Sequence, residues 1–318
     1  MDAPIVSVLM TSYNRERYVA ASIESVLAQT FGDFELLITD NCSTDGTVEI
    51  ARGYERLDRR VRIVVNERNL GQFGNRNRAA TLARGTLLKY HDSDDVLYPH
   101  CLSVMAPAMQ AYPEAAFGLS TGRYWFGGPC PMLMTPRRSF QREFLGSGMF
   151  NAGPGGAIFR TDAFRALGGF LDQGAPSDYL FWLRACARVP VLLLPADLFW
   201  YRVHADQEFQ SASVARQYAA TIADTWAALG DPACPLPPGE REQARRNVMA
   251  SHAKLLWRDM RAGQFAIARA RLAAGPRAAE WVRYLRRPNR HASAGTPDGD
   301  VRSHPVTVDT RTEGALRS

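Results

Sequence analysis

The sequence predicts an α/β protein, a Rossmann-like open and mainly parallel sheet flanked by helices, with a helical extension toward the C-terminus. Three observations carry this expectation. Short apolar runs alternate with helix-length amphipathic stretches through the first half of the 318 residues, the pattern of βαβ units. Those runs end in polar loops, which an open α/β sheet gathers at one edge to receive a ligand. Beyond residue 206 the periodicity becomes helical.

Ile5 to Met10 reads as the first strand and 17–28 as a helix with Val19, Ile23, Val26 and Leu27 on one face. Phe34 to Thr39 is a second strand, closed by the turn residues Asp40 to Thr47 before a helix over 46–56. Val61 to Val65, a helix at 74–84 and Thr86 to His91 complete a third and fourth strand unit. A helix from Pro99 to 111, strand-like residues near 115–126 and a Gly/Pro-rich connection follow. That connection suits either a lid or a plain loop. A strand at 156–160, helices at 161–167 and 177–187, and strands at 190–194 and 197–203 finish a domain over 1–205. Helices near 207–229, 239–261, 263–273 and 276–287 form the extension over 206–287. Residues 288–318, rich in Pro, Gly, Ser, Thr and charge, read as a disordered tail.

A composition of 46% hydrophobic and 22% charged residues excludes a disordered chain, a collagen or a disulfide scaffold. Five scattered cysteines without CxxC spacing indicate neither a disulfide framework nor a zinc site. No apolar run approaches the ~18 residues of a bilayer span, and Met1 to Pro4 lead into a strand rather than a signal peptide, so a cytoplasmic protein is expected. Cations and anions number 22 and 24 over 1–238, but 13 and 4 over 239–291. The positive excess therefore belongs to the C-terminal extension, not to the sheet domain.

The sharpest local signal is His91-Asp92-Ser93-Asp94-Asp95 at the end of the fourth strand. Residues i and i+2 of a strand share a side, so Asp92 and Asp94 are expected to face one cleft. Such closely spaced carboxylates repel unless donors or a cation compensate, and Mg²⁺ or Mn²⁺ shared with substrate phosphates is a usual compensation. On the tripeptide alone, an acidic turn capping the helix that follows Pro99 is the simpler reading.

The succession of blocks extends that reading. Val6 to Val8 with Thr11-Ser12-Tyr13-Asn14, Ser22 to Thr30, Ile38 to Thr47, Asn69-Leu70-Gly71, Gly74-Asn75-Arg76-Asn77, Ala83-Arg84-Gly85 and Asp92-Ser93-Asp94-Asp95 occur in order over residues 4–205. Together they resemble the family 2 glycosyltransferases, enzymes of GT-A fold that transfer a sugar from a nucleoside-diphosphate donor with inversion. Asn41 stands where that family more usually has a second Asp, and Cys42 where it has Gly.

The resemblance implies site residues. Thr11, Tyr13 and Asn14 are similar to positions around the nucleobase and ribose, and Asp40 to the carboxylate that accepts from the base. Arg76 falls where a cation lies near the diphosphate, and a guanidinium fork suits phosphate oxygens. Asp92 and Asp94 stand at the family's DxD, with Asp92 toward the nucleotide and Asp94 toward a divalent cation, Mn²⁺ or Mg²⁺. Gly168-Gly169-Phe170-Leu171-Asp172 and Ser177-Asp178-Tyr179-Leu180-Phe181-Trp182-Leu183-Arg184 look like the family's acceptor-side segment. Asp178 matches its catalytic base, with Asp172 a second candidate. A helix N-terminus at 177 would also favour an Asp there and lower its pKa. Tyr201-Arg202-Val203-His204 resembles the family's YRxH, which makes His204 a metal-ligand candidate and Arg202 a counter-charge for the leaving group.

The implied partners are a nucleotide-diphosphate sugar donor and a glycan or lipid-linked acceptor, in bacterial surface polysaccharide assembly. Leu255, Leu256, Trp257, Met260, Phe265, Ile267, Leu272, Trp281, Val282, Tyr284 and Leu285 recur at helical spacing among arginines. This suits a peripheral contact with the inner face of the plasma membrane, or an appendage packed on its own domain. No nucleic-acid-binding motif accompanies the charge. A sugar nucleotidyltransferase is disfavoured because no Gly-rich, basic triphosphate loop follows the first strand. A non-catalytic sugar-nucleotide binder or scaffold would need no Asp178.

Overall fold

The computed structural model describes residues 3–120, 129–204 and 212–285. The first half runs β1 (Val6–Ser12), α1 (Val19–Leu27), β2 (Phe34–Asp40), α2 (Thr47–Leu57), β3 (Val61–Val65), α3 (Gln72–Leu82), β4 (Leu87–Asp92), β5 (Val96–Leu97), α4 (Cys101–Ala111) and β6 (Phe117–Ser120). The second half runs β7 (Met132–Met134), α5 (Pro136–Phe144), a 3₁₀ turn at Pro154–Gly156, β8 (Ala157–Arg160), α6 (Thr161–Ala166), α7 (Ser177–Cys186), β9 (Val191–Leu194) and β10 (Phe199–Trp200). Five helices follow: α8 (Ala212–Ala220), α9 (Ile222–Gly230), α10 (Pro238–Arg261), α11 (Phe265–Ala274) and α12 (Ala278–Leu285).

The main sheet has the order β3-β2-β1-β4-β8-β6-β9-β7. Its first four strands are parallel, β8 lies antiparallel to β4 and β6, and β7 antiparallel to β9. The expected α/β class holds, and the sheet is mainly parallel. Strand β10 departs from expectation by pairing with β5 in a separate two-stranded ribbon. Strand β7 and helix α5 arise inside the stretch read as connection. Helix α5 has its own start signal, Thr135 accepting from Arg138 N with Pro136 in the first turn. The expected strand over 115–126 narrows to β6, its remainder lying mostly at 121–128, outside the described residues.

Strands β1 and β2 are buried on both faces because helices cover both. Alternate residues therefore feed two cores. Val6, Val8 and Met10 meet Ile23 of α1 and Leu102 and Met105 of α4, whereas Leu9 belongs with Leu37 and Tyr90 on the opposite face. The second core is largely aromatic. Phe159 stacks on Trp182 at 5.8 Å and 10° and meets Phe164 and Phe181 edge-on. Helix α7, which carries Asp178, is thus fixed to β8 by its aromatic face. Gly85 lets the chain pass close to β1, since a Cβ there would fall 2.6 Å from Ser7 N.

The C-terminal helices are continuous with the aromatic core, which includes Leu229, Leu236 and Ala244 beside Phe140 and Phe144 of α5. Asn247 Nδ2 donates to Phe144 O at 2.9 Å, and Arg137 pairs with Glu240 at 2.6 Å. Packing on the sheet domain therefore accounts for part of the extension's apolar periodicity. Residues expected to form the tail lie outside the described residues, and no described helix is long and apolar enough to cross a membrane.

Phe159→Ala removes the ring shared by Trp182, Phe181 and Phe164, and is expected to lower unfolding free energy by about 3–5 kcal/mol. Urea denaturation followed by tryptophan emission measures this; a loss below about 1 kcal/mol would mean that α7 is held by other contacts.

Candidate active site

The carboxyl ends of β1, β2 and β4 open into one cavity of about 1130 Å³. Thr11, Tyr13 and Asn14 line one wall, Asn41, Asn69 and Arg76 the next, and Asp92, Asp94 and Asp95 the floor. Asp178 lies on the far side. Of the residues the sequence singles out, Asp40, Asp172, Arg202 and His204 do not line this space.

Asp40 is fully buried, and its carboxylate accepts from Ser12 Oγ at 2.8 Å and from Ser43 N and Oγ at 2.8 and 2.6 Å. Those donors occupy the oxygens expected to meet the base. In this conformation Asp40 shapes the β2 loop. Its neighbour Asn41 reaches the cavity instead, accepting from Leu70 N and donating to Asn69 Oδ1, both at 2.8 Å. An amide can do both, whereas the Asp more usual in the family could only accept. Asn75 extends the network, donating to Thr39 O and accepting from Asn66 Nδ2. Cys42 holds φ at +72°, the left-handed conformation that explains why Gly is usual there.

Strand β4 ends at Asp92, so strand alternation is not what brings Asp92 and Asp94 together. A turn does it, closed by Asp95 N donating to Asp92 O at 3.1 Å. Each carboxylate then has its own cation or donor. Arg76 Nη2 lies 2.5 Å from Asp92 Oδ1, with the Arg76 side chain 3% exposed. Arg15 Nε lies 3.0 Å from Asp94 Oδ2, and His204 Nε2 reaches the same oxygen at 3.0 Å. Asp95 accepts from Arg202 N, while Arg202 Nε donates to Asp94 O. Burial, with Asp92 beside it, pushes the Asp95 carboxyl well above the ordinary range.

Arg15 is the residue that sequence reasoning missed. Arginines fill this chain, so composition gave it no distinction. Arg202, expected as a counter-charge for a leaving group, instead folds onto the Asp94–Asp95 backbone, its guanidinium 4.8 Å from the Trp200 ring.

The Asp94 carboxylate and His204 imidazole converge as an oxygen and nitrogen donor pair, which suits Mn²⁺ or Mg²⁺. Among the described residues no group of three such side chains is gathered to hold an ion. The pair therefore fits a cation whose other ligands come from a phosphate-bearing substrate and water.

Asp178 sits in the first turn of α7 without capping it; the cap position is Pro176 and makes no side-chain bond. Asp178 Oδ1 accepts from Tyr179 N at 2.7 Å and faces the Tyr218 hydroxyl at 3.4 Å. Burial pushes its carboxyl up to about 6, against the opposing pull of the Tyr179 N–H, Arg76 and Tyr218. The helix terminus thus fails to lower this pKa as expected, because desolvation outweighs it. Asp172 is exposed and outside the cavity lining.

Tyr218 and Val214 come from α8, so the C-terminal extension supplies part of the cavity wall. Opposite them, the fully buried Lys89 donates through Nζ to Tyr90 O and Gly155 O. It ties the Gly153–Gly156 loop to the acidic strand, and burial lowers its pKa. Burying an ammonium costs several kcal/mol, which these carbonyls offset in part.

An open α/β sheet with an acidic, arginine-bearing cavity at its carboxyl edge is built to take a nucleotide. The model for Glycosyl transferase family 2 matches residues 7–168, just over half of the chain, and the chain belongs to that family. It is 38% identical over 109 residues to the Escherichia coli UDP-Glc:α-D-GlcNAc-diphosphoundecaprenol β-1,3-glucosyltransferase WfgD, covering 34% of this chain and 42% of WfgD. The chain spans only 35% and 36% of two further glycosyltransferase relatives. In fold it is similar to S. aureus TarS 1–349 in complex with UDP-GlcNAc, with a TM-score of 0.55 at 20% identity over 86% of this chain and 91% of that one. It is also similar to the mannosyltransferase PcManGT of Pyrobaculum calidifontis in complex with GDP-Man and Mn²⁺, with a TM-score of 0.57 at 18% identity over 86% and 74%. The GT-A fold and the family expected from the motif blocks are both borne out.

The buried position of Asp178 is directly measurable. In ¹³C-aspartate-labelled protein, the carboxyl resonance lost in Asp178→Asn is expected to titrate with a midpoint near 6. A midpoint in the ordinary range near 3.9 would mean that water reaches this group freely.

Proposed function

We propose that the protein is an inverting glycosyltransferase that moves a sugar from a nucleoside-diphosphate donor to a hydroxyl of a glycan or lipid-linked acceptor. The setting is assembly of a bacterial surface polysaccharide at the cytoplasmic face of the membrane. One observation carries this reading: the Asp178 carboxylate, in the first turn of α7, shares a cavity with the Asp92–Asp95 turn. Acid–base and diphosphate-binding groups are thereby held on opposite sides of one space. The donor and acceptor in WfgD's name, and the nucleotide sugars in the TarS and PcManGT complexes, support the substrate class.

In this reading Thr11, Tyr13 and Asn14 border the nucleoside, and Asn41 and Asn69 present amides to it. Arg76 offers its guanidinium to the diphosphate while holding Asp92 in place. Asp94 and His204 would hold the divalent cation, Mn²⁺ or Mg²⁺, which when bound neutralises charge on the diphosphate. Asp178 takes the proton of the acceptor hydroxyl as that oxygen bonds to the anomeric carbon. The bond from that carbon to the diphosphate breaks on the opposite face, and its electron pair leaves on the diphosphate. Attack opposite the leaving group inverts the anomeric centre.

A base with a pKa near 6 is ionised at neutral pH yet basic enough to accept a proton in the transition state. Tyr218 is a positioning residue: its one hydroxyl proton is shared between Ala175 O at 3.1 Å and Asp178 Oδ1 at 3.4 Å. Burial raises the phenol's own pKa, so it stays protonated and favours the Asp178 anion.

Asp178→Asn is expected to leave donor binding nearly intact while transfer falls ~10²–10⁴-fold, the usual loss with a general base. Wild-type donor affinity with wild-type turnover in this variant would refute the base assignment. In the wild type kcat/KM should fall below about pH 6 as Asp178 protonates. Tyr218→Phe removes a bond that lowers the Asp178 pKa, so this acid limb should move to higher pH with donor affinity unchanged. An unmoved limb would leave Tyr218 with a purely structural part.

A further inference from the structure

The helical hairpin of α10 and α11 carries a surface that neither the sheet domain nor the cavity uses. Trp257 is 63% exposed, Met260 48%, Phe265 69% and Leu272 59%, whereas Leu229, Leu236, Ala244 and Met249 of the same extension are buried. On α10, exposed Lys254, Trp257, Arg258 and Arg261 follow i, i+3, i+4, i+7 spacing, which is one helix face. On α11, exposed Phe265, Arg269 and Leu272 follow i, i+4, i+7. The turn at Ala262–Gln264 brings the two faces together, with Gln264 N donating to Asp259 O at 2.9 Å.

The charge on this edge has one sign. Between residues 251 and 273 the sole acid is Asp259, which is 1% exposed and bonded to Arg271 Nε at 2.9 Å and, at 3.3 Å, to Arg258 Nη2, whose side chain stays 68% exposed. Lys254, Arg258, Arg261 and Arg269 thus surround four large apolar side chains with no exposed carboxylate among them. We propose that this edge docks on an anionic lipid surface, its apolar side chains entering the headgroup boundary and its cations meeting lipid phosphates. A nucleic acid would use the cations but bury nothing against Met260 or Leu272. The boundary of an anionic bilayer takes both kinds of side chain.

Helix α11 packs on α8, whose Tyr218 and Val214 line the cavity beside Asp178. Docking through α11 therefore leaves the acceptor side of the cavity one helix from the lipid surface. The docking stands on the surface alone; its use in presenting a lipid-linked acceptor rests on the transfer reading above.

Co-sedimentation of the full chain with vesicles of phosphatidylcholine containing about one third phosphatidylglycerol tests the proposal. Binding should be at least tenfold stronger than to pure phosphatidylcholine, and should weaken as salt rises from ~0.1 to ~0.5 M because screening shortens the reach of the cations. Trp257 emission should shift to the blue on binding. Trp257→Ser with Phe265→Ser, and separately Lys254→Glu with Arg261→Glu, should each cut vesicle binding more than tenfold while thermal unfolding and UDP binding with Mn²⁺ stay at wild-type values. No vesicle binding, equal binding to neutral vesicles, indifference to both variant pairs, or equally tight binding to an RNA homopolymer would each overturn it. None of these readouts needs an acceptor or turnover, so failure here and failure of the transfer reading are separable.

Discussion

Three carboxylates fall within four residues at the end of β4, and the site is organised around holding that charge in a cavity that must also admit phosphate. Like charges this close are tolerated only when each is compensated. Arg76 from α3 takes Asp92, Arg15 from the β1 loop takes Asp94 with His204, and the Arg202 backbone takes Asp95. Those compensating groups come from three separate segments, α3, the β1 loop and the residues after β10. Among the described residues Asp92 has a single cation, Arg76, whereas Asp94 has both Arg15 and His204 and Asp95 a backbone N–H. In the proposed function Arg76 also meets the diphosphate, which would make its ion pair with Asp92 a store of phosphate-binding charge.

The far side of the cavity depends on a different force. Asp178 owes its position to the aromatic packing of α7 through Phe181 and Trp182, and its raised pKa to the burial that this packing brings. Arg184, on the same helix, donates to Leu167 O and Gly169 O, and Asn77 of α3 donates to Phe170 O. The Gly168–Gly169 turn is thereby bonded both to the helix of the proposed base and to the helix of Arg76. Helix α8 closes this side with Tyr218, which makes the C-terminal extension part of the site rather than an addition to it.

Much of this was legible in the sequence because the parallel strands are short, apolar and punctuated by turn residues. The four strand units, the family and the convergence of Thr11, Tyr13, Asn14, Arg76, Asp92, Asp94 and Asp178 on one cavity follow from those blocks. What was not legible depends on contacts far apart along the chain. Strand β7 has three residues and no periodicity to display, and β10 pairs with β5 about a hundred residues earlier. Arg15 looks like any other arginine until Asp94, 79 positions later, is beside it. Asp40 reads as a ligand by position, and its bonds from Ser12 and Ser43, the former 28 positions away, are not visible in the sequence. Asp178 shows why a local rule can fail: the helix start favours its anion, and burial, invisible in sequence, prevails.

The central claim is that the carboxylates at the end of β4 turn toward a nucleoside diphosphate only through a divalent cation. Calorimetric titration of UDP and GDP into the protein, with Mn²⁺ and then with EDTA, measures this directly. The account predicts that affinity for the nucleotide it prefers is lost with EDTA and restored by Mn²⁺, because clustered carboxylates and diphosphate otherwise repel. Undiminished affinity in EDTA would contradict it.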